Sequence, residues 1–391
     1  MSRRGALRCW VAAGAVLAGC STPLPPYPPA VQETAPPAAV PAAPQTPVSS
    51  ASAPAATAGV PPLPGPDHAH AETVPPYGEA VAARFPEPSV RYATPAFEAG
   101  RTAWTSNAEL ALWLRALVRE GRSAPGSPSV RLLTPGRSQS GVAIEALLFT
   151  RLADATPAGL QRSARPTVLL IGQQRGDEPA GAEALLAIAQ DLAQGPLARV
   201  LEQINVVLLP RANPDGAKVG SSTTTSGVDL DRDHMLLRTP EAQALAQVAR
   251  DFRASVVVDL HEYAAVKPYV EKFGAVQRFD ALVQYATVAN LPEFITKAAE
   301  EWFRRPLIAN LTAQGLSSEW LYTAASDAAE KKMAMGSIEA DTARNANGLR
   351  NAISFVIETR GVGLGRWHFA RRVHTHAVAV RSVLERAAQR A

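Results

Sequence analysis

The chain has 391 residues, of which 47% are hydrophobic and 19% charged, enough to bury one large core or two smaller ones. Its formal net charge is only +4, and the basic residues are scattered except for a C-terminal group formed by Arg366, Arg371, Arg372, Arg381, Arg386 and Arg390. Spacing of that kind marks a solvated helix face and argues against a nucleic-acid partner.

The first nineteen residues read as an export signal. Arg3, Arg4 and Arg8 supply a positive start, and the apolar stretch from Trp10 to Leu17 is too short to span a bilayer. It ends in Leu17-Ala18-Gly19-Cys20, which resembles the lipobox of bacterial lipoproteins, where the cysteine becomes the acylated N-terminus. Ser21 follows rather than an aspartate, so the resemblance implies an outer-membrane lipoprotein facing the periplasm, held to the membrane through Cys20. Cys9 leaves with the signal and Cys20 carries lipid, so neither a disulfide nor a thiolate metal site is expected. Residues 20–92 are dense in Pro, Ala, Ser and Thr and show no apolar period, the composition of a disordered tether. His68 and His70 fall in this stretch and read as surface residues.

A single folded domain is expected over residues 93–391. Asn107 to Glu120 has helical apolar spacing with Ser106 or Asn107 as its cap. Short apolar runs then recur at Thr167 to Ile171, Val206 to Leu209, Ser255 to Leu260 and Ile353 to Ile357. Helical stretches separate them at Ala180 to Gln194, Pro240 to Arg253 and Pro292 to Phe303, and another follows from about Arg372 to Gln389. Unalternating strands between helices indicate an α/β fold, a mixed, mostly parallel twisted sheet with helices on both faces. Thr323 to Asn347 reads as a long loop able to line a pocket.

In such a sheet, ligands bind beyond the carboxyl ends of the strands. Four strand ends carry informative residues. Gly172-Gln173-Gln174-Arg175-Gly176-Asp177-Glu178-Pro179 follows the first run, Asn213-Pro214-Asp215-Gly216 the second, His261-Glu262 the third and Glu358 the fourth. Gly136-Arg137-Ser138 with Gly141, Gly227-Val228-Asp229-Leu230-Asp231-Arg232, and Ile357-Glu358-Thr359-Arg360 complete a series whose order and spacing resemble the zinc carboxypeptidases of the carboxypeptidase A type. The bacterial deacylases of the succinylglutamate desuccinylase type are related. The resemblance implies a zinc ion held by two histidines and a glutamate, with a polarised water in the open position. Carried over position by position, Glu178 falls on the glutamate ligand, His261 on the distant histidine, Glu358 on the general base, and Asp231 with Arg232 on the pair that grips the substrate's terminal carboxylate.

Three departures stand against that chemistry. Arg175 occupies the first histidine slot, and a guanidinium has no lone pair to offer a metal. Asp231 replaces an asparagine and is expected to compete for Arg232 and repel an anionic chain end. The segment Ala217 to Gly227, where the family carries an oxyanion-stabilising arginine, contains only Lys218 as a cation. Neither His234 nor the trio of His368, His374 and His376 is expected to replace the missing ligand. Arg175 itself is expected near Glu178 and Glu358, standing in electrostatically for zinc.

Three functions follow. One is a lipid-anchored carboxypeptidase acting on peptides or peptidoglycan stems, weakened by Arg175, Asp231 and the absent arginine. Another is a metal-free descendant that binds peptide or peptidoglycan, and the third an amidase for small acyl-amino acids.

Overall fold

Strand formation follows the apolar runs in the computed structural model, which describes residues 77–121, 128–266, 269–324, 327 and 329–391. The described strands are β1 (Ser129–Arg137), β2 (Ala143–Thr150), β3 (Thr167–Gly172), β4 (Asn205–Leu209), β5 (Val256–Ala264), β6 (Ala281–Tyr285), β7 (Ser318–Trp320), β8 (Tyr322–Ala324), β9 (Met333–Met335) and β10 (Ile353–Val362). Eight of them form one sheet in the order β1-β2-β4-β3-β5-β10-β6-β7, and β8 pairs with β9 in a separate hairpin. The four runs recognisable in the sequence are the central, mutually parallel strands β4, β3, β5 and β10. Antiparallel β2 joins β4 on one side and antiparallel β6 joins β10 on the other, so the sheet is mixed but mostly parallel.

The central strands are apolar on both faces because both are covered. Val168 and Leu170 of β3 enter one core layer with Leu185 and Leu192 of helix Pro179–Gln194 and Val380 and Leu384 of helix Phe369–Gln389. Leu169 and Ile171 point the other way, into a layer with Leu245 and Val248 of helix Pro240–Asp251. Helix Asn107–Gly121 adds Leu110, Leu114 and Leu117 to the first layer. At about 0.8 kcal/mol per buried methylene, these layers dominate the favourable side of folding.

Three readings differ from the sequence expectation, one being that the segment from Thr323 to Asn347 is not a loop throughout but holds part of β8, all of β9 and most of helix Ala343–Leu349. The helix expected to end at Phe303 runs on, from Glu293–Ala298 through a π-helical turn at Ala299–Arg304 into Arg305–Ala313. Pro306 lies in the first turn of that last segment, and the widened turn lets the chain absorb a proline that lacks an N–H. Ordered structure also begins before residue 93, where the sequence reading placed the start of the domain. Residues Glu79–Ala82 form a helical turn and Phe85 is buried, because Tyr77 and Phe85 pack on the guanidinium of Arg360, with ring centroids 5.5 and 3.5 Å from it. The signal segment, Cys20, His68 and His70 lie outside the described residues. No helix among the described residues is long and apolar enough to cross a membrane.

Candidate functional site

The loop after β3 is shaped by its neighbours. Gly176 donates its N–H to the Ser221 carbonyl at 2.8 Å, and a Cβ at this glycine would sit 2.0 Å from the Gly216 carbonyl carbon. Only glycine allows the loop to approach the Asn213-Pro214-Asp215-Gly216 turn so closely. That turn is capped by Asn213, whose side chain accepts from Gly216 N at 2.8 Å. Asp215 accepts from Ser138 Oγ at 2.8 Å and from Ser140 N at 2.9 Å, which accounts for the glycine- and serine-containing segment at 136–141. Glu178 holds the N-cap position of helix Pro179–Gln194 but makes no capping bond; its carboxylate accepts from Glu262 N at 3.0 Å instead.

Arg175 reaches three carboxylates from this loop. It lies 2.9 Å from Asp229 through Nη2, 3.4 Å from Asp231 through Nη2, and 3.6 Å from Glu178 through Nη1. Burial works against its charge, but Glu178, Asp231 and Asp229 outweigh it and hold the guanidinium more firmly protonated than usual. His261, at the end of β5, is flanked on both ring nitrogens: Nδ1 is 2.8 Å from Glu178 and Nε2 is 2.9 Å from Asp259. Burial disfavours the imidazolium, yet Asp259 and Glu178 together push its pKa well above the ordinary value. Burial draws the same proton toward Glu178, but only the ring has a carboxylate at each nitrogen and so retains it. Asp231 lies 4.0 Å from His261 Nε2. Despite burial, His261 and Arg175 keep it down at about 2.

These groups border a cavity of about 650 Å³ lined by Arg175, Glu178, Asp231, Arg232, Arg344 and Glu358 among others. Glu358, on β10 beside His261 of β5, is pushed up to about 7, first by burial and then by the charges of Glu178 and Asp231. It is therefore poised to exchange a proton near neutrality. Asp231 does not compete for Arg232, contrary to the sequence expectation. The carboxylate turns to Arg175, and Arg232 lies 3.8 Å from Asp341 with its side chain 49% exposed. Arg175 was expected near Glu358 as well; the arginine's charge is felt there, but its ion pairs go to Glu178, Asp229 and Asp231.

The histidines elsewhere have other partners. His234 Nε2 is 2.8 Å from Gln174 Oε1, and Gln174 in turn donates to Asp259 at 2.7 Å. His374 Nδ1 lies 2.7 Å from the Tyr92 hydroxyl. His376 is 3.0 Å from Thr359 Oγ1, with burial driving its pKa down to about 3. His368 stacks on Tyr77, 6.1 Å between ring centroids.

Does this donor set suit zinc? Glu178 and His261 Nδ1 converge, as two ligands of a three-ligand site would. The third corner is a guanidinium within ion-pairing distance of Glu178, which offers no lone pair and repels a cation. The residues present do not fit the family's zinc site. Asp231, Asp259 and His261 form a second grouping with ligand atoms within 4.8 Å of one another. Sequence reasoning passed over Asp229, Asp259, Gln174 and Arg344. Asp229 and Gln174 lie inside the strand-end motifs and Asp259 two residues before His261, whereas Arg344 lies in the 323–347 segment expected to line a pocket, with nothing to single it out there.

The sequence and the fold were compared with known proteins. The zinc carboxypeptidase family model matches residues 124–363. A probable carboxypeptidase 2 of Trichophyton verrucosum is 31% identical over 223 residues, 56% of this chain and 43% of that protein, so the match spans less than half of the relative's length. The crystal structure of a metallo-carboxypeptidase from Burkholderia cenocepacia superposes with a TM-score of 0.51 at 17% identity, covering 71% of this chain and 68% of that one. A Pseudomonas aeruginosa metallo-carboxypeptidase in complex with (2-guanidinoethylmercapto)succinic acid gives a TM-score of 0.51 at 20% identity, over 69% and 67% of the two chains. At these identities the structural likeness speaks for the fold alone.

Proposed function

The chain belongs to the zinc carboxypeptidase family, and from its altered site we propose that it binds the carboxyl ends of peptides without zinc-dependent hydrolysis. One observation carries this reading: the guanidinium of Arg175 lies among Glu178, Asp229 and Asp231, supplying there the positive charge that a metal would bring. The cavity, its arginines and the proton-exchanging Glu358 remain, so the means of holding an anionic chain end survive the change at the metal corner. The ligand is a peptide or a peptidoglycan-derived stem. The setting proposed for it is the periplasmic side of the outer membrane, with the protein anchored through Cys20.

Elemental analysis of the purified protein tests the reading. No stoichiometric zinc is expected in the wild type, whereas Arg175→His, which supplies a third ligand, is expected to take up about one zinc per chain. Tightly held stoichiometric zinc in the wild type would overturn the proposal. A second reading, residual hydrolysis, is favoured by the convergence of Glu178 with His261 Nδ1 at 2.8 Å and by Glu358 at the same cavity. It predicts a low peptidase rate on hippuryl-type, muropeptide or N-acyl-amino-acid substrates that is abolished by a chelator and raised by Arg175→His.

A further inference from the structure

Of the arginines that line the cavity, Arg175, Arg232 and Arg344, the last is the one that is both buried and without an ion pair among the described residues. It precedes Asn345 in helix Ala343–Leu349, is only 3% exposed, and lines the same cavity as Arg232 and Glu358. Its Nη2 donates to the Ser337 carbonyl and its Nε to the Asn345 side-chain oxygen at 3.4 Å, both neutral acceptors. No carboxylate among the described residues comes within ion-pairing distance of it. Arg175 holds Asp229 at 2.9 Å, Arg371 holds Asp280 at 2.6 Å and Arg372 holds Glu262 at 2.7 Å, whereas Arg211 and Arg360 are, like Arg344, buried among neutral acceptors but do not line the cavity. A buried cation without a counter-ion is costly, and one that borders a cavity can gain its counter-ion from a ligand.

The carboxylates around it do not fill that role. Asp231 and Glu178 are engaged by Arg175 and His261. Glu262 is engaged by Arg372. Glu358 shares the cavity with Arg344, and it, Asp231 and Asp259 attract the guanidinium through space without outweighing its burial or closing to an ion pair. Arg232 borders the same cavity from its more exposed rim. The cavity thus offers two guanidinium groups at different depths, the inner one already stripped of water and held by backbone and side-chain acceptors. Such a preorganised fork favours a planar carboxylate over a neutral amide of the same shape.

We propose that Arg344 receives the side-chain carboxylate of an acidic C-terminal residue while Arg232 takes the terminal carboxylate, so that the ligand is a peptide ending in Glu or Asp. This rests on the peptide-binding reading above and names its ligand class. Fluorescence anisotropy on the full chain tests it, using fluorescein-labelled hexapeptides that end in Glu, Gln or Lys, with the Glu and Gln peptides also made with an amidated terminus. The Glu peptide is expected to bind at least about tenfold more tightly than the Gln peptide, with Lys weaker again. Amidation is expected to weaken the Glu peptide while leaving it ahead of an amidated Gln peptide, which separates the side-chain carboxylate from the terminal one. Arg344→Gln should bring the Glu and Gln peptides to the same affinity, and Arg344→Lys, which keeps a charge in the same fold, should retain part of the preference. Arg232→Gln should weaken both and preserve their ratio. If the Glu and Gln peptides bind the wild type equally, or the preference persists in Arg344→Gln, the Arg344 assignment falls and the peptide-binding reading stands. If no peptide binds, both fall.

Discussion

Position 175 places a fixed positive charge among three carboxylates. Glu178, Asp229 and Asp231 converge on this side chain, which is 22% exposed, so removing it leaves three carboxylates facing one another. Arg175→Ala is expected to cost about 2–4 kcal/mol in denaturant unfolding, and adding Asp229→Asn to recover part of that loss; an unchanged midpoint would show that the ion pairs do not hold the loop. Glu358 supplies a pH test. Its pKa rises from 4.5 to about 7 on folding, so the folded state binds this proton more tightly than the unfolded chain does. Its contribution to stability is therefore fully present below about pH 4.5, falls as pH rises from there to about 7, and is flat beyond. Glu358→Gln cannot lose a proton, so its stability advantage over the wild type should grow across that window, by about 3 kcal/mol at most. Parallel stability curves for the two proteins from pH 4 to pH 8 would contradict the shift.

The elements decide which residues meet. The loop after β3 can set Arg175 against Asp229 only because Gly176 lets it pass the Gly216 carbonyl carbon, which would be 2.0 Å from an added Cβ. Gly176→Ala must therefore displace backbone, and a loss of about 2–4 kcal/mol in urea unfolding is expected. An unchanged midpoint would mean that the close approach is not a constraint. The central strands were legible in the sequence because burial on both faces leaves unbroken runs such as Thr-Val-Leu-Leu-Ile-Gly. The strands on the flanks were not. β1 carries Pro135 and Gly136 beside an irregularity in its pairing, and β2, Ala-Ile-Glu-Ala-Leu-Leu-Phe-Thr, is composed largely of good helix formers held extended by its neighbours. The helix expected to end at Phe303 is carried past Pro306 by a π turn. The strand-end residues Glu178, His261 and Glu358 were legible as motif positions, but the partners that Arg175 finds were not. Its contact with Asp229 joins residues 54 apart in sequence, and Arg344 enters the cavity from a segment with no period to announce it.

On the scale of the whole molecule, the link between the proline-rich N-terminal region and the domain is itself structural. Tyr77 and Phe85 bracket Arg360, which lies two residues beyond Glu358 on β10 and donates to the Gln277 carbonyl at 3.0 Å. Glu87 accepts from Arg371 N at 3.2 Å, and the Pro86 carbonyl accepts from Arg371 Nη1 at 2.8 Å, so the same stretch also meets the C-terminal helix. The strand that carries the site is thus braced from behind by residues whose composition alone placed them in a linker. Phe85 is 6% exposed and its ring centroid lies 3.5 Å from the Arg360 guanidinium carbon; truncation removes both apolar burial and a cation–π contact. Phe85→Ala in the full chain is expected to cost about 3 kcal/mol, a fall of roughly 5–10 °C in Tm for a domain of this size. Val90→Ala, whose side chain is 46% exposed five residues later, should move Tm by no more than about 2 °C. If both variants melt with the wild type, residues 77–92 add nothing to the stability of the domain; if only Phe85→Ala falls, the folding unit begins at the brace.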